Sequence, residues 1–260
     1  MAIGENSLAK LVFNPKDFFD KNTKIIYVKL IDNNPNVLET KFATDSPVRL
    51  DTLENETQIP SGTELYYYNN DWIYVPYNIA HEERRIELLK KMEKQNLCIH
   101  ESQFENINIM EEQIKSFRKA YRSLHGGINA NSMYLYSGPK EESHSYISLV
   151  QFYFKQFKNI EYRIGCVYTG DGNLSEVKKM YKKYWRNVGT IQLPHHGCKK
   201  NCDFKNFILK NESYYFFASF GNNNTYGHPS KDIIINIQNT NSFFFPVSET
   251  LATEFIEQIQ

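Results

Sequence analysis

The chain has 260 residues with 30 Lys and Arg against 30 Asp and Glu, so no global field draws it to nucleic acid or to an anionic membrane; any polyanion contact must be local. Aromatic residues make up 15%, which excludes a disordered tail or a fibre, and the length allows one large domain or two small ones. Nothing approaches the run of about 18 apolar residues of a membrane span, and Met1-Ala2-Ile3-Gly4-Glu5-Asn6 lacks a basic and apolar leader, so a cytoplasmic protein without membrane contact is expected.

Residues 1–80 read as a β-rich N-terminal segment. Residues 24–31 form a strand candidate ended by Asp32-Asn33-Asn34-Pro35, and 65–68 with 72–75 flank Asn69-Asn70-Asp71 as a predicted hairpin. A helical pair over 81–127 follows. The first helix, 81–95, carries Ile86, Leu89 and Met92 amid charge; the second, 110–124, lines Ile114, Phe117, Tyr121 and Leu124 on one face and meets a stop at Gly126-Gly127. This pair is a candidate bridge or dimer surface.

From 130 onward the elements alternate: strand 132–136, helix 145–158, strand 162–168, helix 174–186, strand 189–193, helix 203–210, strand 214–220, helix 230–238, strand 242–247 and a terminal helix 249–259. Such alternation predicts an α/β fold, a sheet covered by helices. Three polar triplets, Thr169-Gly170-Asp171, His195-His196-Gly197 and Gly227-His228-Pro229, each follow a β-rich run and so fall where strands hand over to loops, the place where ligands gather in α/β proteins. An Asp and three His arriving there from separate strands suit Zn, Mn or Fe, because carboxylate and neutral imidazole can converge on one ion. Asp171 also reads as an Asx-turn or helix N-cap. On an extended chain the adjacent His195 and His196 diverge, so one would hold an ion and the other support it or meet substrate. His228, with Tyr226 and Asn224 in an Asn-rich loop, suits an outer wall for a phosphate.

The segments Cys166-Val167-Tyr168-Thr169-Gly170-Asp171, Leu193-Pro194-His195-His196-Gly197 and Gly221-Asn222-Asn223-Asn224-Thr225-Tyr226-Gly227-His228-Pro229, in that order, resemble the C-terminal half of the metallo-β-lactamase fold. The branch they resemble is that of the hydrolase domain of DNA-uptake competence proteins. Asn131-Ser132-Met133-Tyr134-Leu135-Tyr136 resembles the strand that opens that half, and the likeness spans residues 128–247. The resemblance implies an αββα half-sandwich over 128–260 and a metal-dependent hydrolase of phosphodiester bonds, most simply a nuclease. It implies Asp171, His196 and His195 as metal residues toward one or two Zn2+ (or Mn2+/Fe2+) ions, with His228, Tyr226 and Asn224 meeting the phosphate.

The family's His-x-His-x-Asp-His motif is absent: the histidines stand at 81, 100, 125, 144, 195, 196 and 228, and no two lie at that spacing. The missing ligands are therefore expected from a second polypeptide, or a precursor region, carrying the first half of the fold, whose absence would leave the half-sheet with an open edge. Two competing readings are a non-catalytic subunit with an assembly or regulatory role, and a nucleotide- or nucleic-acid-binding module. The last rests on Lys178-Lys179-Met180-Tyr181-Lys182-Lys183-Tyr184-Trp185-Arg186, which interleaves cations with aromatics. Val177, Met180, Tyr181 and Tyr184 in and beside that stretch also fall at core spacing, leaving the cations on a solvated face. Cys98, Cys166, Cys198 and Cys202 read as reduced thiols; Cys198 and Cys202, one C-x3-C pair, are read as loop residues ahead of a zinc or redox site. His81, His100, His125 and His144 read as structural or surface residues.

Overall fold

Four strands rich in β-branched and aromatic residues, β10 (Gly165–Tyr168), β11 (Val188–Gln192), β12 (Tyr215–Ser219) and β13 (Phe243–Val247), lie side by side and parallel in one sheet. In the computed structural model, which describes residues 7–9, 28–31, 47–53, 57–66, 71–79, 82–95, 107–125, 132–150, 160–204, 207, 212–250, 253 and 256–259, the protein is mixed α/β. The parallel strands continue into β7 (Met133–Pro139), β6 (Trp72–Asn78), β5 (Leu65–Tyr66) and β3 (Val48–Arg49), in the order β13-β12-β11-β10-β7-β6-β5-β3. From β10 to β5 the pairings are antiparallel, and β3 returns parallel to β5.

This corrects one expectation: β7 does not end the sheet as an open edge, because β6, from the N-terminal segment of the same chain, pairs along its whole length from Trp72–Pro139 to Asn78–Met133. The hairpin expected around residues 69–71 is present as β5 and β6. Two further small sheets order as β1 (Ser7–Ala9), β2 (Val28–Ile31), β4 (Thr57–Pro60), and as β14 (Ile256–Ile259), β8 (His144–Val150), β9 (Ile160–Arg163).

Two segments expected to be helical, 145–158 and 249–259, hold strands in their described residues. Residues 144–150 form β8, the middle strand between β9 and β14, and the chain's end contributes β14 where a helix over 249–259 was expected. Short apolar runs do not distinguish the two periods, and pairing between segments a hundred residues apart decides them. The expected strand 162–168 is broken at Ile164, where the chain leaves the three-stranded sheet and enters the eight-stranded one. Of the expected helix 203–210, Asp203 and Phe204 are not helical and Phe207 lies in a turn; the rest is outside the described residues, as are 24–27, Asp32-Asn33-Asn34-Pro35, 67–70, Gly126-Gly127 and 151–158.

Helices α1 (Glu82–Lys94) and α2 (Ile107–Arg122) form the expected pair, with Leu88 and Met92 against Phe117, Ala120, Tyr121 and Leu124. Helices α3 (Leu174–Met180) and α4 (Lys231–Gln238) both pack on one face of the main sheet, where Leu174, Val177, Ile233 and Ile237 join Val167, Ile191 and Phe216. The expected helix 174–186 stops at Met180 and continues as a 3-10 turn, Lys182–Asn187, yet Val177, Tyr181 and Tyr184 are buried as their spacing predicts. The Tyr184 ring stacks on Tyr136 with centroids 4.9 Å apart.

Four of the five cations in this stretch are engaged with carboxylates: Lys178 with Glu212 at 2.9 Å, Lys179 with Glu176, Lys183 with Glu64, and Arg186 with Glu142. Charge so paired offers little to a polyanion. No helix of the described residues is long and apolar enough to cross a membrane.

Candidate functional site

Because β10, β11 and β12 run parallel, their carboxyl ends deliver the three polar triplets to one edge of the sheet. Backbone hydrogen bonds then tie loop to loop. The N–H of His195 donates to the carbonyl of Gly170 at 2.9 Å, and the N–H of Ser230 to that of Gly197 at 3.1 Å. Gln192, at the end of β11, accepts from the Thr169 N–H through Oε1 at 3.1 Å, while its carbonyl accepts from Thr169 Oγ1 at 2.9 Å.

Asp171 sits in a turn closed by Gly172 N–H on the Thr169 carbonyl, with Gly170 at φ 51°. It is not the N-cap of α3. That position belongs to Asn173, and the N–H of Leu174 is satisfied instead by the carbonyl of Asn201. The Asn201 side-chain amide also donates to the carbonyls of Asp171 (3.0 Å) and Gly172 (2.8 Å), so this one residue holds the acidic turn from beneath. Tyr134 holds it from the other side, its buried hydroxyl accepting from Asn173 N–H at 2.7 Å. Burial pushes the Tyr134 phenol up to about 12, which keeps it protonated.

The Pro194–Gly197 turn departs from the extended chain that was expected. His195 (φ 48°, ψ 51°) and His196 (φ 57°, ψ 23°) both adopt the left-handed conformation, and their rings sit 5.9 Å apart at 68°. Two consecutive non-glycine residues in that region cost of order 1–3 kcal/mol each, and such cost clusters where function requires it. Gly197, at φ 82°, completes the turn; a Cβ there would lie 2.7 Å from Pro229 Cβ, so only glycine lets this loop seat against the third one.

The result is a row of imidazoles. The His195 ring is flanked by His196 and by His228, the latter with centroids 5.6 Å away. His196 is exposed, and its Nδ1 meets the Ser219 carbonyl at 2.6 Å. A carbonyl acceptor assigns the proton to Nδ1 and leaves the Nε2 lone pair outward, the arrangement by which a backbone acceptor orients a metal-ligating histidine. His228 Nδ1 is buried and has no hydrogen-bond partner among the described residues. Burial, then the neighbouring His195 and His196, lower the His228 pKa from its ordinary 6.5, so it is neutral at pH 7.

Tyr226 stands 84% exposed at the rim, its ring near-parallel (14°) to His228 with centroids 6.5 Å apart. Asn224 spends both ends of its amide within the loop: Nδ2 donates to the His228 carbonyl and Oδ1 accepts from Tyr226 N–H at 2.9 Å. It is therefore a positioning residue for Tyr226 and His228. Glu249, beyond β13, caps the same loop by accepting from Asn222 N–H.

Asp171, His195, His196, His228, Tyr226 and Asn224 thus share one edge. Sequence reasoning missed Gln192, Asn201, Tyr134 and Glu249, which orient that edge through amide, phenol or carboxylate contacts that leave no periodic signature. Among the described residues, no three His, Cys, Asp or Glu side chains gather closely enough to hold a metal ion.

Cys202 is buried against the Pro194 carbonyl, and burial pushes its thiol up to about 12, so it is protonated and inert rather than a zinc thiolate. Alkylation of the native protein with iodoacetamide at pH 8 is expected to spare Cys202 and to reach it only after denaturation, as read by peptide mass spectrometry. His125 is exposed beside Glu87; the side chain of His144, and His81, His100 and Cys98 entirely, lie outside the described residues. Comparison with family models, with curated proteins and with solved structures found no match to this chain.

Proposed function

We propose that this edge is part of the site of a metal-dependent hydrolase of phosphodiester bonds, a nuclease being its simplest form, built on a metallo-β-lactamase-like half-sandwich. The observation that carries it is the strained His195-His196 turn, held so that three imidazoles and the Asp171 turn meet at the carboxyl ends of three parallel strands. His196, oriented by the Ser219 carbonyl, and Asp171 are the metal residues, with His195 as their support. This donor set is short of a closed site, since a catalytic zinc takes about three protein ligands and a water. The missing ligands come from a second polypeptide or from a precursor region, as the absent His-x-His-x-Asp-His motif requires.

On the chain's own side, neutral His228 and the exposed Tyr226 form a wall on which a phosphodiester and its flanking ring can rest, the phenol donating to a phosphate oxygen. A second reading, a non-catalytic subunit with an assembly or regulatory role, is favoured by the same lack of a gathered ligand triple among the described residues.

Metal content by mass spectrometry after Zn2+ or Mn2+ loading of the assembled protein, with the co-purified polypeptide or precursor region that completes the site, read beside turnover of bis(4-nitrophenyl) phosphate, separates the two. Asp171→Ala and His196→Ala are each expected to lower metal retention by about tenfold or more while leaving the melting temperature of the metal-free protein in place. Equal retention in wild type and both variants sinks the hydrolase reading in favour of the second. A monomeric chain that is metal-loaded and active by itself would overturn the need for a partner.

A further inference from the structure

Helix α2 sorts its side chains onto two opposed faces. Phe117, Ala120 and Tyr121, with Leu124 just beyond its end, are used against α1. At 3.6 residues per turn, Lys115, Arg118, Lys119 and Arg122 fall within an arc of about 100° on the opposite side, along about 10 Å of axis. All four are exposed, and with Ser123 they line an open groove of about 480 Å³. None of them makes a side-chain ion pair or hydrogen bond with a described residue, whereas four of the five cations between Lys178 and Arg186 are paired with carboxylates. In the sequence, Glu111 and Glu112 stand about one turn before Lys115.

We propose that this face of α2 binds the phosphate backbone of a double-stranded nucleic acid. A chain of zero formal charge that gathers four such cations in one stripe has built a local field for a polyanion. A duplex carries one charge per about 1.7 Å of its axis, so cations spread over about 10 Å can each meet a phosphate, four in all, and a helix of about 10–12 Å diameter fits a groove about 12 Å wide. Two of the four cations are arginines, whose forks meet phosphate oxygens in pairs. An anionic membrane is the poorer occupant, because Phe117, Ala120 and Tyr121 are packed against α1 and, among the described residues, no apolar side chain of α2 shares the arc of the four cations to enter a bilayer. The contacts are to backbone, so they position a nucleic acid without reading its sequence.

The basic face lies on a different element from the hydrolase site, and its test reads binding rather than turnover, so failure of one is distinguishable from failure of the other. The probe is a fluorescein-labelled duplex of about 20 base pairs, as DNA and as RNA of the same sequence, titrated with the full chain by anisotropy from about 50 to 200 mM KCl. Joint replacement Lys115→Gln, Arg118→Gln, Lys119→Gln and Arg122→Gln is expected to make the log–log salt dependence for DNA shallower by about 3.6, at about 0.9 per phosphate, and to weaken binding by about tenfold or more. The exchange Lys115→Arg, Arg118→Lys, Lys119→Arg and Arg122→Lys should retain the slope, and Lys178→Gln, Lys179→Gln, Lys182→Gln and Lys183→Gln together should leave it unchanged. Circular dichroism checks the fold, which Gln on an exposed helix face preserves. Unchanged affinity and slope in the α2 variant overturn the proposal. So does loss of binding in the Lys178–Lys183 variant alone, or binding of phosphatidylserine vesicles in place of either duplex.

Discussion

Gly172→Ala is expected to destabilise the protein by about 3 kcal/mol, the upper end of overpacking costs, and to scatter the candidate site at the same time. A Cβ at this position would lie 2.1 Å from the Tyr134 hydroxyl oxygen and 2.3 Å from the ring carbon that bears it. Neither can yield: Tyr134 is 2% exposed on β7, between strands on both sides, and its hydroxyl is committed to Asn173 N–H. The turn must move instead, and the residue before it is Asp171, whose carbonyl is held from beneath by Asn201. Tyr134→Phe serves as the comparison, since it removes the hydrogen bond without the clash and should cost about 1 kcal/mol. Urea unfolding of the two variants gives both numbers; a Gly172→Ala variant as stable as wild type would mean that the turn is soft and that the glycine serves nothing here.

Most of this edge was legible because parallel strands and polar triplets are local features. The runs ending at Tyr168, Gln192 and Ser219 are apolar enough to be buried strands, the first two triplets follow closely and the third after the loop 220–226, so Asp171, His195, His196 and His228 could be placed at one edge from their order in the chain. What the residues alone hid were facts fixed by distant partners. The pairing of β6 with β7 depends on segments about sixty residues apart, and the strand identity of His144–Val150 depends on a partner at the far end of the chain. The left-handed backbone at His195 and His196 contradicts ordinary residue preference, and local preference fails where tertiary contacts, here those of Gly197 against Pro229, dictate the turn. The pairing of the basic stretch from Lys178 to Arg186 was hidden for a similar reason: Glu64, Glu142 and Glu212, which neutralise three of its members, lie elsewhere in sequence.

Glu64 supplies the second large effect, and it is a dependence on pH. The carboxylate is only 11% exposed and accepts from Tyr184 Oη at 2.6 Å, from Lys140 at 3.3 Å and from Lys183, joining β5, β7 and the turn after α3. Burial alone would raise its pKa, but the hydrogen bonds from Lys183, Tyr184 and Lys140 outweigh it and hold the carboxyl below its ordinary 4.5. A folded-state pKa below the unfolded one means that the unfolded chain takes up the proton first as the solution is acidified. The stabilisation is therefore complete above about pH 4.5 and is lost as pH falls through the lower folded value. Glu64→Gln keeps the shape and an acceptor for Tyr184 but removes the charge; Lys140 and Lys183, more exposed than Glu64, turn to water rather than being stranded. The expected cost at pH 7 is about 1–2 kcal/mol, within the range of one charged hydrogen-bond network at a partly buried site. Urea melts of wild type and variant from pH 7 to pH 3 should show that difference narrowing on the acid side. A gap that stays constant over the whole range would mean that the charge of Glu64 contributes nothing and that only its packing matters.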